Sequence, residues 1–332
     1  MRLLVTGGAG FIGSNFVHYW LERNPDDHVV VYDLLTYAGN RPNLAAVEDR
    51  IVFVQGDICD RDLAEQTLRV EEIEVVVNFA AESHNSLAVV DPARFFRTNV
   101  LGTQTLLDAS RAAAVERFHH VSTCEVYGDL ALDSDDVFDE ESPYRPRTPY
   151  NASKAGADHA VRAYFETYGL PVTITNCSNN YGHYQFPEKV IPLFTTNALD
   201  DKPLPLYAAT GNRREWLHVL DHCAAIDLVL RKGRAGETYN VGSGLEASIE
   251  EIADLVLELT GKPQSLKTIV PDRPGHDRRY LLDATKIRRE LGWEPAHAWR
   301  EGLAETVSWY AANRQWWEPL RERAPVEETA WR

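Results

Sequence analysis

The sequence predicts an α/β fold in which a doubly wound parallel sheet carries a smaller α/β lobe. Three observations support this prediction. Short runs rich in Val, Ile and Phe alternate with helical segments through the first half of the chain, a glycine-rich turn joins the first run to the first helix, and the alternation weakens after about residue 178. Buried strands that alternate with helices form parallel sheets covered on both faces, so the first half is expected to be one such unit.

The elements of the larger unit follow from the spacing of apolar residues. Runs of four or five residues with several β-branched or aromatic side chains predict strands at residues 3–6, 29–32, 52–55, 75–79, 118–122 and 172–176. Stretches with the helical period predict helices at residues 13–23, 63–71, 98–113 and 152–168. Strands and helices therefore alternate over most of the first 178 residues.

Residues after 178 are expected to form the smaller lobe. Gly, Pro, Asn and Tyr become frequent there, as in loops that shape a ligand pocket, and helices are predicted at residues 248–259, 284–291 and 302–313. We expect residues 1–178, joined by 213–240, to form the larger domain. Residues 179–212 and 241–332 then form the lobe.

The composition argues against several classes of partner. The 332 residues carry a formal net charge of −16, whereas nucleic acids and anionic membranes reward clustered Lys and Arg. The apolar run at residues 75–81 is too short to span a bilayer, and the first residues predict a strand, not a signal peptide. The four cysteines are widely spaced and show no metal-ligand pattern, so we expect no metal site and a cytoplasmic location.

A glycine-rich turn indicates a dinucleotide site. Gly7, Gly10 and Gly13 follow a predicted strand and open a helix, where glycine allows the main chain to approach a pyrophosphate in a Rossmann-like fold. Asp33 ends the next predicted strand, and a carboxylate there accepts hydrogen bonds from a ribose diol but repels a 2′-phosphate. We therefore predict NAD as the cofactor, with Asp57 near the adenine. The remaining predicted cofactor contacts are Phe11, Ile12, Ile58 and Ala80.

Tyr150 and Lys154 form the predicted catalytic pair. They are four residues apart and share one face of a predicted helix. A phenol has a pKa of about 10, and a neighbouring ammonium together with a positive nicotinamide favours the phenolate, which can then act as a base. Both residues are also expected to contact the cofactor. Thr123, at the end of a predicted strand, can relay the substrate proton to Tyr150.

Beyond these motifs, the chain resembles a dTDP-glucose 4,6-dehydratase, an extended short-chain dehydrogenase/reductase, over nearly its whole length. The matching stretches include Thr98-Asn-Val-Leu-Gly-Thr, Pro149-Tyr-Asn-Ala-Ser-Lys-Ala, Asn179-Asn-Tyr-Gly, Pro187-Glu-Lys-Val-Ile-Pro and Arg214-Glu-Trp. The resemblance implies a nucleotide-diphosphate sugar as substrate. It also implies a homodimer that forms through the helix of Tyr150 and the segment 98–113.

The resemblance further implies a three-step cycle. Tyr150, acting through Thr123, removes the proton of the sugar 4-hydroxyl while hydride passes from C4 to NAD. Glu125 then removes the C5 proton, water leaves from C6, and hydride returns to C6, which gives a 4-keto-6-deoxy sugar. The residues implied for sugar-nucleotide binding are His84, Asn179, Glu188, Lys189, Asn212, Arg214 and Arg279.

One residue departs from the family motif at the expected centre of the site. The family has Thr-Asp-Glu, in which the Asp protonates the leaving C6 hydroxyl, whereas this chain has Cys124 between Thr123 and Glu125. A thiol holds a proton at neutral pH but is a weak hydrogen-bond donor. Loss of a positioned acid costs about 10²–10⁴-fold in rate. We therefore expect Cys124 to serve as a poorer acid, with slower C6 elimination than in the family and a faster Cys124→Asp variant.

These departures leave other activities open. His84 is followed by Asn85-Ser-Leu-Ala where the family has x-Asp-Arg-Ser. The Thr-Cys-Glu motif is similar to that of exo-glycal-forming 5,6-dehydratases, in which hydride returns to C4, and to the Thr-Ser-Glu of UDP-glucuronate decarboxylases. A 4-epimerase needs no C5 base, so the presence of Glu125 argues against that activity. An inactive NAD-binding scaffold is the last alternative, and the intact Tyr150 and Lys154 argue against it.

Overall fold

Twelve strands are present in the computed structural model, which describes residues 1–272 and 274–323. They are β1 (Arg2–Thr6), β2 (His28–Asp33), β3 (Ile51–Gln55), β4 (Val75–Asn78), β5 (Arg117–Thr123), β6 (Val172–Cys177), β7 (Asn179–Tyr181), β8 (Leu204–Tyr207), β9 (Arg213–His218), β10 (Thr238–Val241), β11 (Glu246–Ser248) and β12 (Lys267–Val270). Seven of them form one parallel sheet in the order β3-β2-β1-β4-β5-β6-β10. The strand order reverses beside β1, which creates a crevice at the carboxyl ends of β1 and β4.

Helices cover both faces of this sheet and build much of the lobe. They are α1 (Phe11–Arg23), α2 (Arg61–Val70), α3 (Asn85–Val90), α4 (Pro92–Phe95), α5 (Thr103–Ala112), α6 (Pro149–Tyr168), α7 (Val190–Leu199), α8 (Val219–Lys232), α9 (Ile249–Thr260), α10 (Thr285–Leu291), α11 (Trp299–Ala312) and α12 (Arg314–Arg321). The predicted fold class is confirmed. The segment predicted as one helix at 98–113 is instead a π-helical stretch, Phe96–Gly102, followed by α5.

Successive residues of the central strands point to opposite faces, which divides the core in two. Leu3 and Val29 pack with side chains of α1 and α8 on one face. Leu4 and Val30 pack with side chains of α2, α5 and α6 on the other. Because both faces are covered, these strands contain nearly continuous apolar residues, which is the pattern that the sequence showed.

The lobe contains two small sheets and its own apolar core. Strand β9 lies between β7 and β11, and β8 pairs with β12; α7, α9 and α11 pack against them. The chain returns to the main sheet through α8, which packs on α1, and β10, which pairs with β6. Because β9 belongs to the lobe, this return begins at Val219 and not at residue 213. The predicted lobe extends to 332, and residues 324–332 lie outside the described residues.

A strap, defined as residues 277–283, joins the lobe to the larger domain. Its main chain exchanges hydrogen bonds with Leu130 (3.1 Å) and Phe138 (2.9 and 2.8 Å) in the long connection that follows β5. The Leu282 amide donates to the Glu215 carboxyl at 3.1 Å, and burial raises the pKa of Glu215 to about 7. The strap is therefore fixed to elements of both units. No described helix is long and apolar enough to cross a membrane.

Candidate active site

A cavity of about 390 Å³ lies at the crevice predicted by the strand order. Every residue predicted to contact the cofactor lines it: Gly7, Gly10, Phe11, Ile12, Gly13, Asp33, Asp57, Ile58, Ala80, Tyr150 and Lys154. The turn requires glycine, because Gly7 has φ +65° and a Cβ on Gly13 would lie 2.3 Å from the Gly7 carbonyl oxygen. The main chain is therefore free to approach a pyrophosphate at the start of α1.

Asp33 is held in one orientation by two main-chain amides. One carboxylate oxygen accepts from the Ala9 amide at 2.9 Å and the other from the Leu35 amide at 2.8 Å. Burial raises the pKa of Asp33, and these two main-chain hydrogen bonds oppose the rise. The carboxylate lines the cavity beside the glycine turn. The turn and the acid together fit NAD, since a 2′-phosphate at this carboxylate would meet like charge.

Thr123, Glu125 and Tyr150 line the same cavity. Thr123 ends β5 and caps the short 3₁₀ turn Cys124–Tyr127, where its hydroxyl accepts from the Glu125 amide at 3.3 Å. Burial and the nearby Glu125 carboxylate raise the pKa of Tyr150 well above its usual value, while a hydrogen bond with Thr123 lowers it. The structure thus places the residues of the predicted relay, Thr123 and Tyr150, in one cavity with Glu125.

Lys154, four residues after Tyr150 on α6, is held by a buried polar network. Its ammonium donates to the Val121 carbonyl at 2.8 Å and lies 3.2 Å from His120 Nε2. The Asp158 carboxylate, one further turn along α6, lies 3.4 Å from the same nitrogen. Burial lowers the pKa of Lys154, and Asp158 opposes this effect. Asp158 therefore helps to keep Lys154 charged, which sequence reasoning did not predict.

Replacing Asp158 by Asn is expected to move the pH dependence of turnover. The neutral amide removes the charge that raises the pKa of Lys154, so Lys154 loses its proton more readily and stabilises the Tyr150 phenolate less. The pKa of Tyr150 then rises, and the acid limb of kcat against pH shifts to higher pH, with about 10-fold lower kcat at neutral pH. Ser122→Ala, which removes only a 2.8 Å hydrogen bond to Asp158, is the control. Superimposable wild-type and Asp158→Asn profiles would contradict this role.

A second cavity of about 350 Å³ opens into the lobe. The predicted substrate contacts that line it are His84, Asn179, Glu188, Lys189 and Arg214. The Arg214 guanidinium donates to three main-chain carbonyls and lies over the Tyr280 ring at 4.7 Å. A guanidinium fork matches paired phosphate oxygens, and Arg214 lines the cavity, so Arg214 suits a diphosphate.

Glu188 lies where the two cavities meet. Its carboxylate accepts from the Tyr37 hydroxyl at 3.1 Å and lies 3.2 Å from His84 Nε2 and 3.7 Å from the Lys189 ammonium. Burial raises the pKa of Glu188, and Lys189 opposes the rise. The Lys189 ammonium also donates to the Ser83 carbonyl at 2.9 Å. These contacts present polar groups from both domains to a ligand.

The structure does not bring three predicted site residues to either cavity. Arg279 forms a double hydrogen bond with Glu246 at 2.7 and 2.8 Å, so its charge is neutralised away from the predicted diphosphate position. Asn212 lies beside His276, at 3.5 Å, outside the lining. Cys124 is 1% exposed and packs with apolar and aromatic side chains of the strap and α6. Burial raises the pKa of its thiol well above the usual value.

This burial reverses the expected effect of Cys124→Asp. A carboxylate at that position would lose its hydration next to Glu125, at a cost of about 3 kcal/mol in unfolding free energy. We therefore expect the Asp variant to be less stable and slower, and Cys124→Ser to stay within about 3-fold of the wild-type rate. Urea unfolding and kcat of both variants test this expectation. An Asp variant that is faster and equally stable would restore the role predicted from the motif.

Other residues at the site were missed by sequence reasoning. Phe186 and Asn85 line both cavities, and Tyr207, Trp216, His276 and Tyr280 line the one in the lobe. Aromatic residues in the loops after β6 were expected to shape a pocket. The sequence alone does not show which of their side chains face that pocket. Asn85 was noticed only as a departure from the family pattern.

His218, His297 and Glu305 bring potential metal-ligand atoms within 4.8 Å of one another, although the sequence predicted no metal. His218 caps α8, and its Nδ1 accepts from the Leu220 amide at 3.3 Å. A neutral imidazole whose Nδ1 accepts carries its proton on Nε2, which leaves no free nitrogen for a metal. We therefore assign no metal to this group.

Comparison with known proteins agrees with the geometry. Residues 4–306 match the family model described as GDP-mannose 4,6 dehydratase. The dTDP-glucose 4,6-dehydratases of Streptomyces niveus and Mycobacterium tuberculosis (strain H37Rv) are each 50% identical, and the matches cover 99% and 97% of this chain and 98% and 97% of those proteins. The dTDP-glucose 4,6-dehydratase DesIV of Streptomyces venezuelae, solved with NAD bound, has a TM-score of 0.93 at 53% identity and covers 96% of this chain and 100% of its own.

More distant solved structures include an epimerase. The UDP-glucose 4-epimerase of Thermotoga maritima has a TM-score of 0.88 at 30% identity, with 95% of this chain and 100% of that chain covered. The fold is thus shared with another sugar-nucleotide enzyme, whereas the two relatives at 50% identity named above are dTDP-glucose 4,6-dehydratases. The sequence-based recognition and the choice of NAD are confirmed. The chain belongs to the dTDP-glucose 4,6-dehydratase family of NAD-dependent hydro-lyases.

Proposed function

We propose that the protein converts dTDP-glucose to its 4-keto-6-deoxy product as an NAD-dependent 4,6-dehydratase. The observation that carries this proposal is the meeting of the two cavities at Glu125. This carboxylate lines both, while Thr123 and Tyr150 line the cofactor cavity beside it. Tyr150, as the base for a sugar hydroxyl, and Glu125, as the base for a proton on a neighbouring carbon, therefore face the same space. The family relatives add the identity of the sugar nucleotide.

In the first step Tyr150 takes the proton of the sugar 4-hydroxyl through Thr123. When bound, NAD supplies a hydride acceptor and a positively charged ring, which favours the phenolate. Lys154 lines the same cavity one helical turn after Tyr150, so its positive charge, which Asp158 helps to maintain, would also favour the phenolate. Burial limits the access of solvent to this proton transfer. The side chains concerned, Thr123, Tyr150, Lys154 and Asp158, are at most 9% exposed.

In the second step Glu125 takes the proton at C5, which the new 4-ketone acidifies. The C6 hydroxyl then leaves as water, and C6 receives the hydride that was taken from C4, which gives the 4-keto-6-deoxy product and would leave the cofactor oxidised again. Arg214 and Lys189 would hold the diphosphate and orient the sugar between them. A 5,6-dehydratase would use the same first base and the same C5 base, so it is the second candidate. A 4-epimerase removes no proton from C5 and would therefore not need Glu125 as a base.

A homodimer and a cytoplasmic location belong to the same proposal. Large apolar side chains on the outer surface of the π-helical stretch and at the end of α6 support a covered face: Phe96, Leu101 and Tyr168 are 44%, 52% and 53% exposed. Gly156 on α6 allows close packing within the subunit, because a Cβ at this position would lie 3.1 Å from a Val100 methyl group. Sedimentation of wild type and a Leu101→Lys variant tests the dimer.

Incubation of the purified protein with dTDP-glucose in D₂O tests the activity. Mass spectrometry and NMR should show loss of one water, one deuterium at C5 and a methyl group at C6. An exocyclic methylene would instead show that hydride returned to C4, which is the 5,6-dehydratase outcome. Recovery of unchanged dTDP-glucose would reject this substrate, and a panel of UDP-sugars would follow.

A further inference from the structure

The region where the two cavities meet is lined by residues that both ligands would share. They are Asn85, Glu125, Asn179, Phe186, Glu188 and Lys189. A reacting sugar carbon must face the cofactor from this region, so a side chain that contacts Glu125 here acts where the second proton transfer occurs. Asn85 is such a side chain.

Asn85 donates from its amide nitrogen to Glu125 Oε2 at 3.3 Å. The opposite end of the same amide accepts from the Thr148 hydroxyl at 3.4 Å. Thr148 is the N-cap of α6 and accepts from the Asn151 amide, so its own proton is directed to Asn85. The helix that carries Tyr150 therefore fixes which end of Asn85 faces Glu125.

The buried position of Cys124 bears directly on the contact between Asn85 and Glu125. The thiol packs in an apolar cluster and lines neither cavity, so the family's separate acid has no counterpart at this position. The departing C6 hydroxyl still requires a proton. Glu125 holds one as soon as it has taken the proton from C5.

We propose that Asn85 is a positioning residue that holds Glu125 to act first as base and then as acid; this rests on the proposed dehydratase function. The C5–H bond breaks and its proton moves to Glu125. The electron pair forms the C5=C6 double bond as the C6–O bond breaks, and the proton passes from Glu125 to the departing oxygen as water forms. The carboxylate is thereby restored, and no further acid is consumed. A neutral amide suits this double role because it stabilises the carboxylate without adding a charge.

The test compares Asn85→Ala, the isosteric Asn85→Asp and the control Val90→Ala in the holoenzyme. Val90 is exposed on the same short helix and contacts neither cavity. We expect Asn85→Ala to lower kcat about 10–100-fold with KM within about 3-fold of wild type. Stopped-flow absorbance should show reduced nicotinamide accumulating, because C4 oxidation continues while C5 deprotonation slows. The isotope effect of C5 deuteration on kcat should increase.

Asn85→Asp distinguishes positioning from simple support of the fold. It keeps the shape but places a second carboxylate beside Glu125, and like charges disfavour ionisation. The acid limb of its kcat–pH profile should lie at higher pH than that of wild type. Asn85→Ala with wild-type kcat, or with a lower kcat but no accumulated reduced cofactor and no change in isotope effect, would overturn the inference. If wild type does not convert dTDP-glucose, the proposed substrate fails, and the same comparison on the sugar nucleotide that it does convert decides the role of Asn85.

Discussion

Replacing Tyr150 by Phe is expected to reduce kcat by about 10³-fold or more, because it removes the base that starts the reaction. The change deletes one oxygen from a side chain that is 9% exposed, and the ring can stay in its T-shaped contact with Phe95. Folding and cofactor content should therefore be retained. The rate of reduced nicotinamide formation with dTDP-glucose measures the effect directly, since it reports C4 oxidation alone.

Two results would contradict this role of Tyr150. One is a Phe variant that retains turnover within about 10-fold of wild type. The other is a variant that loses bound NAD, because the loss of activity would then reflect the cofactor site. A Phe95→Leu variant is a suitable control, as it perturbs the same contact but keeps the phenol. Loss of turnover only in Tyr150→Phe also excludes the inactive scaffold.

Replacing Glu125 by Gln is expected to stop the reaction after its first half. The amide has nearly the same shape but cannot take a proton from C5, so product formation should fall by about 10²–10⁴-fold. Oxidation at C4 should continue, because Tyr150 and Thr123 are unchanged. In addition, removing the carboxylate takes away a charge that raises the pKa of Tyr150, so the first half should extend to lower pH.

The expected signature of Glu125→Gln is a burst of reduced nicotinamide without loss of water. NMR in D₂O should show no deuterium at C5 in the recovered sugar. Glu125→Asp, which keeps the charge but shortens the side chain, should restore part of the rate. Normal deuterium incorporation by the Gln variant would assign the C5 proton to another group.

The sequence predicted the parts of the site that the main chain positions. Gly7 and Gly13 are required by the turn itself. Asp33 ends β2 and Thr123 ends β5, and the carboxyl ends of all the strands in this parallel sheet lie at one edge. Tyr150 and Lys154 follow from helical spacing. All of these residues line the cofactor cavity. Their positions depend on the geometry of turns, strand ends and helices, which the local amino-acid sequence determines.

Residues whose role depends on side-chain direction could not be placed in this way. Cys124 and Glu125 are neighbours in one 3₁₀ turn, yet the carboxylate lines both cavities and the thiol joins an apolar cluster. Arg279 occurs in a promising motif, but its pairing with Glu246 required β11, which the sequence did not predict. Asn85 gains its partners only because the start of α3 lies beside both the turn that carries Glu125 and the N-cap of α6 at Thr148.

The strap that ties the lobe to the larger domain also limits how a ligand can enter. Moving the lobe away from the larger domain would break the three main-chain hydrogen bonds of residues 277–283 to Leu130 and Phe138, each worth about 0.5–1.5 kcal/mol. A wide hinge motion would thus cost several kcal/mol in every turnover. Sugar nucleotides are therefore expected to enter through a cleft whose width stays nearly constant. The rate constants for their binding and release should then depend on the loops that border the cleft and not on domain closure.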